Sequence, residues 1–104
     1  MIVRVWRAMA TPGNVPAYRE HLERVVLPQL RTLPGFIGIT LMQRKRDDRI
    51  ELVVSSRWES MAAVCAFAGM NPERAVVEPA ARSVLVEFDQ AVSHYEVSFE
   101  VGAA

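Results

Sequence analysis

The sequence predicts an α+β fold in the order β-α-β-β-α-β. Three observations carry this reading. Alternating apolar and polar residues mark strands near both ends of the chain and in its middle. A stretch of helical period lies between the first two strands, and a second helical region precedes the last. Proline and glycine stand at the joins.

The first strand runs over about residues 2–9, where Val3 and Val5 alternate with Arg4 and Trp6. Thr11-Pro12-Gly13 breaks it. Asn14 is placed to cap a helix with Pro16 in its first turn, and Tyr18, Leu22, Val25, Val26, Leu30 and Leu33 share one face. Pro28 should bend this helix or end its regular part, and Pro34-Gly35 stops it. Residues 36–44 and 50–58 read as a hairpin turning at Asp47-Asp48. In its second strand Ile50, Leu52, Val54, Ser56 and Trp58 share a face. Ser60 caps a short helix through Phe67 that Gly69 ends. Asn71-Pro72 opens a further helical region, interrupted near Pro79 and reaching about Glu87. The last strand covers about residues 91–101, with Ser93, Tyr95, Val97 and Phe99 opposing Val92, His94, Glu96 and Ser98.

This order is the split βαβ arrangement of ferredoxin-like folds, a four-stranded antiparallel sheet with helices on one side. The strands are apolar on both faces. The uncovered face is therefore expected to pack against a second copy in a two-fold homodimer.

With 104 residues the chain is enough for one domain, taken as residues 1–104. A hydrophobic share of 51% and a charged share of 23% are those of a globular protein and argue against disorder. Twelve basic and twelve acidic residues give a net charge of +0, so neither nucleic acid nor an anionic membrane is expected as a partner. The mixed run Arg44-Lys45-Arg46-Asp47-Asp48-Arg49 reads as an exposed turn. Cys65, the single cysteine, can form neither an internal disulfide nor a cysteine zinc site, and is expected to be buried and inert. A signal-peptide pattern is missing, and no apolar run reaches the ~20 residues that cross a bilayer. A cytoplasmic protein is expected.

Leu33-Pro34-Gly35-Phe36, Arg57-Trp58-Glu59-Ser60, Ala66-Phe67-Ala68-Gly69 and His94-Tyr95-Glu96-Val97 together resemble the antibiotic-biosynthesis-monooxygenase family of dimeric α/β barrels. With Val5-Trp6-Arg7 added, the set is similar to a bacterial branch of that family. The resemblance implies a monooxygenase that oxidises electron-rich phenols, quinols or anthrones with no cofactor, metal or flavin. The substrate loses a proton, its carbanion gives an electron to O₂, and the protein holds the ring and an oxyanion. The chain also departs from that pattern. Val54 stands where cofactor-free members can carry Asn, and Val64 where they can carry Tyr. Trp6 replaces the first-strand Asn of a haem-degrading branch, and no His lies between His21 and His94, so haem degradation is not expected. Gly69-Met70-Asn71-Pro72 lacks the His that quinol-oxidising and signal-degrading members often carry.

By resemblance Trp6 and Trp58 point into a cavity between sheet and helices, where two indoles can sandwich a small aromatic ligand or simply fill the core. Arg4 and Ser56 share their faces by parity. Arg4 can pair with an anionic ligand or sit in a surface or interface ion pair. Phe67 is a candidate pocket wall. His94 is the candidate general base, although alternation sets it with Glu96 and Ser98 on the more polar face, against a partner or solvent. Tyr95, on the opposite face, is the candidate oxyanion donor or a core tyrosine. His21, between Glu20 and Glu23, is expected to be exposed. The competing functions are a non-enzymatic ligand-binding or stress-related dimer, and a structural domain with no cavity.

Overall fold

A computed structural model of the chain describes residues 1–103. Strand β1 (Ile2–Ala10) leads through a 3₁₀ turn (Pro12–Asn14) into helix α1 (Val15–His21). A π-helical turn (Leu22–Val26) joins α1 to α2 (Leu27–Leu30). Strands β2 (Phe36–Arg46) and β3 (Arg49–Trp58) form the hairpin, and α3 (Met61–Ala68) follows. The chain ends with the one-turn α4 (Pro79–Arg82), β4 (Glu87–Phe88) and β5 (Ser93–Glu96).

The sheet runs β2-β3-β1, all antiparallel, and β4 and β5 share the remaining edge of β1. Together β4 and β5 occupy one position, so the layout is the expected ferredoxin-like one with a broken last strand. Two groups of buried side chains fill the space between sheet and helices. Ala10, Tyr18, Leu52 and Ala81 form one, and Leu30, Trp58 and Val64 the other.

Pro28 acts one turn upstream of itself. Having no N–H, and a ring that would meet the carbonyl of residue 24 in a regular α-helix, it is preceded by a wider turn in which the Leu27 N–H bonds the Leu22 carbonyl. Ser60 caps α3 by accepting the Ala63 N–H at 3.2 Å. Gly69 ends it at φ +85, with its N–H on the Cys65 carbonyl at 2.8 Å.

The chain after Gly69 differs from the sequence expectation. Residues 69–78 are irregular rather than helical, and only α4 is helix between Gly69 and Glu87. The Arg74 N–H turns back on the Asn71 carbonyl, the Ala75 N–H reaches the Gln90 carbonyl, and the Val92 N–H reaches the Glu73 carbonyl. These pairings to residues 90–92 use backbone groups that a helix would have needed for itself. They also divert the chain before Ser93, and Glu96 already pairs with Ile2 at the start of β1, so the last strand is Ser93–Glu96 rather than 91–101. Cys65, expected to be buried, is exposed.

Gly35 is required by its geometry. It sits at φ +87, and an added Cβ would lie 2.6 Å from the Ala63 side chain. Gly35→Ala is expected to lower the unfolding free energy by about 2–4 kcal/mol, read from the urea midpoint. Gly38→Ala is the comparison. There the added methyl meets the end of the Arg57 side chain, which can swing aside, and little change is expected.

Candidate functional site

The pairing register sets two rows of side chains side by side on the helix-covered face. Arg4 pairs with Ser56 on one side and His94 on the other, and Ser56 pairs with Ile39. Trp6 pairs with Val54, which pairs with Leu41. Above these rows lies a cavity of about 80 Å³. Arg4, Trp6, Val54, Ser56 and Phe67 contribute to its walls, with Tyr18, His21 and Leu30 from the helices and Val76, Val77 and Glu78 from the irregular segment.

Arg4 is buried at the cavity wall. Its Nη1 donates to the Pro72 carbonyl at 2.6 Å and contacts His94 Nε2 at 2.9 Å, and its Nη2 donates to the Arg74 carbonyl at 3.1 Å. None of these partners carries a negative charge. The guanidinium also lies 5.7 Å from the Phe67 ring centre. Burial lowers the Arg4 pKa, opposed by the charge of Glu73. Arg4 therefore does two things: it ties down residues 72–74, and it leaves a cation at the wall that suits an oxyanion.

Trp6 presents its indole between Tyr18 and Phe88, each ring centre 6.1 Å away, and its Nε1–H donates to the Asp89 carbonyl at 2.8 Å. Tyr18 is buried, and burial pushes its hydroxyl up, so it stays protonated as a donor. Phe67 lines the cavity and stacks on Trp58 at 5.7 Å.

Several sequence expectations are corrected here. His94 is on the helix-covered face, half-buried beside Arg4, rather than on an outer face of the sheet, and Arg4 supplies the polar contact its ring needs. Trp58 is fully buried and does not line the cavity. Its Nε1–H donates to Ser56 Oγ at 2.9 Å, and Phe36 meets it edge-on at 5.3 Å. Tyr95 lies on the far side of the sheet, 57% exposed. His21, expected to be exposed, is partly buried and lines the cavity, and its Nε2 is buried without a hydrogen-bond partner among the described residues. The signal that could have found it is its spacing: Tyr18, His21 and Leu22 lie at i, i+3 and i+4, on one helical face.

His94 carries a pH prediction. With Nε2 accepting from Arg4, its ring must be neutral. Burial first, then the Arg4 charge, lowers its pKa below the ordinary 6.5, against a smaller opposing effect of Glu73. Above 6.5 the ring is neutral both folded and unfolded, and its full contribution to stability is present. As pH falls below that value the unfolded chain takes up a proton that the folded chain resists, so stability is lost down through the lowered folded value. The melting temperature of the wild type is expected to fall more steeply below pH 6.5 than that of His94→Gln, read by thermal unfolding across that range.

Among the described residues no group of three or more His, Cys, Asp or Glu is placed to hold a metal ion. No helix among them is long and apolar enough to cross a membrane. A porphyrin does not suit this site, because the cavity of about 80 Å³ is far too small for it.

The sequence model of the antibiotic biosynthesis monooxygenase family matches residues 1–78. No protein of curated function matches the chain. Among solved structures, a candidate antibiotic biosynthesis monooxygenase from Bacillus cereus superposes with a TM-score of 0.71 at 19% identity, over 98% of this chain and 97% of that one. A monooxygenase from Streptomyces coelicolor in complex with nanaomycin D gives 0.71 at 20% identity, over 99% and 92%. A haem degrader from Mycobacterium tuberculosis with two haems bound gives 0.63 at 22% identity, over 98% and 100%.

Proposed function

Because the chain belongs to the antibiotic biosynthesis monooxygenase family, we propose that it oxidises a small aromatic hydroxy compound with O₂, without a cofactor. The observation that carries this reading is the cavity, an apolar chamber walled by Trp6 and Phe67 with a buried guanidinium that forms no ion pair among the described residues. Aromatic walls hold a flat ring, and a desolvated cation favours the phenolate over the phenol. The volume, about 80 Å³, lies below the roughly 300–1,000 Å³ of pockets for drug-sized ligands. That favours a single-ring substrate over a fused polyketide.

In this reading the substrate's hydroxyl loses its proton and the ring gains carbanion character. It passes an electron to O₂, and the resulting radical pair combines into a peroxide. Loss of water then leaves a carbonyl, so one O₂ is consumed and one water released for each CH₂-equivalent converted to C=O. Arg4 holds the oxyanion. His94 accepts from Nη1 and positions that guanidinium, and Ser56 and Phe67 fill the wall beside it.

The test is O₂ uptake on a panel of phenols, hydroquinones and anthrones, with a metal chelator present. Uptake with one or more single-ring members supports the proposal. Binding without uptake on the whole panel would sink it in favour of a non-enzymatic ligand-binding protein. That second reading draws on Val54 and Val64, apolar where characterised cofactor-free members can carry Asn and Tyr.

The proposal includes a homodimer. Val3, Val5, Met42, Val53 and Tyr95 alternate onto the sheet face opposite the cavity, and Met42 and Tyr95 are exposed there. An apolar sheet face of this kind suits a second copy. Met42→Glu is expected to convert a dimer to a monomer in light scattering, with the circular dichroism spectrum unchanged.

A further inference from the structure

We propose that His21 takes the hydroxyl proton of a phenol-type ligand in the cavity; this rests on reading the cavity as a site for aromatic hydroxy compounds. Three observations converge on it. Its ring lines the cavity, with its centre 6.4 Å from that of Tyr18. Its Nε2 is buried and has no hydrogen-bond partner among the described residues, a state that costs about 1–3 kcal/mol unless something completes it. It also directly precedes the π-helical turn Leu22–Val26, and such turns recur at functional sites.

The other polar groups around the cavity suit other tasks. Arg4 on β1 is a cation and can only donate. His94 faces Arg4, and its Nε2 is engaged there. Tyr18 on α1 is kept protonated by burial and acts as a donor. Gln29 and Ser56 also line it, but an amide and a hydroxyl are not bases; Glu78, from the irregular segment, is the one carboxylate at the wall among the described residues and the competing candidate. Imidazole is the side chain suited to take a proton near neutral pH. In the step itself the phenol O–H bond breaks, the proton bonds to the Nε2 lone pair, and the electron pair stays on oxygen. An imidazolium and a phenolate result, with the Arg4 cation at the same wall.

The probe is 4-nitrophenol, whose phenolate absorbs visible light and whose phenol does not. The whole chain, in excess, is titrated with it across the neutral range, and binding is measured separately by equilibrium dialysis. The phenolate-to-phenol ratio of bound probe at neutral pH is expected to fall about tenfold in His21→Gln, equal to one unit in the ionisation midpoint. His21→Phe, which keeps a ring in place, is expected to do the same and covers a misfolded glutamine variant. Glu20→Gln, an exposed position beside His21 and off the cavity, is expected to leave the ratio unchanged, and Glu78→Gln tests the competing base. Bound probe with an unaltered ratio in the His21 variants overturns the proposal and leaves the cavity reading intact. A fall in Glu78→Gln instead of the His21 variants overturns it in favour of Glu78. Absence of binding to the wild type removes the cavity reading and the proposal with it.

Discussion

Trp58→Ala is expected to lower stability by about 3–5 kcal/mol, the cost of emptying a large aromatic site in a core. The indole has no exposure, stacks on Phe67, meets Phe36 edge-on and donates to Ser56. The substitution removes all three contacts and leaves a hole between β3 and α3. Small domains hold only about 5–15 kcal/mol in total. A loss of this size would lower the melting temperature by roughly 15–30 °C, read by far-ultraviolet circular dichroism. Trp58→Phe keeps the ring contacts and loses the N–H, so about 1–2 kcal/mol is expected. A shift of only a few degrees in Trp58→Ala would mean that the indole belongs to the cavity wall and not to the core.

Arg4→Met is expected to act in two places at once. The Pro72 and Arg74 carbonyls lose their donor, so residues 69–78 lose an anchor to β1. Amide exchange at Ala75 and Val92, whose N–H groups bond the Gln90 and Glu73 carbonyls, should quicken. Stability should fall by about 1–3 kcal/mol, the usual effect of removing the charged partner of buried polar groups. Affinity for 4-nitrophenolate should fall about tenfold or more, since hydrogen bonds to charged groups contribute about 1.5–3 kcal/mol. Arg4→Lys separates the two roles. It restores the charge but cannot span two carbonyls with a planar fork. It should recover part of the affinity while exchange at Ala75 stays fast. Unchanged exchange in Arg4→Met would show that the segment is held by its pairing to residues 90–92 alone.

The first three strands were legible because their signals are local. Val3 and Val5 alternate with Arg4 and Trp6, and Ser56 and Trp58 share a face by simple parity. The segment after Gly69 was not legible, because it is held by partners far along the chain. Arg4 reaches Pro72 and Arg74, and Glu73 reaches Val92, contacts that no windowed period records. Alanine and valine there carry enough helical and apolar character to mimic a helix. At the site, parity set His94 apart from Tyr95 correctly, but polarity chose the wrong environment for it. The sequence cannot show that a buried arginine waits beside that histidine. His21 was hidden by its acidic neighbours, which face outward while it does not.

The π-helical turn also bears on counting. Each residue of an α-helix advances it by about 100°, and the wider turn at Leu22–Val26 accommodates one residue more than a regular helix of the same rise. Tyr18 and His21 ahead of the turn, Leu22 and Val26 at its two ends and Leu30 beyond it all front the same chamber. Taking one residue out of this turn would return it to a regular α-helix of the same rise with its two ends still in register, so a helix one residue shorter can front the same chamber with its residues numbered one apart. An alignment that closes a one-residue gap here would bring the wrong side chains into correspondence.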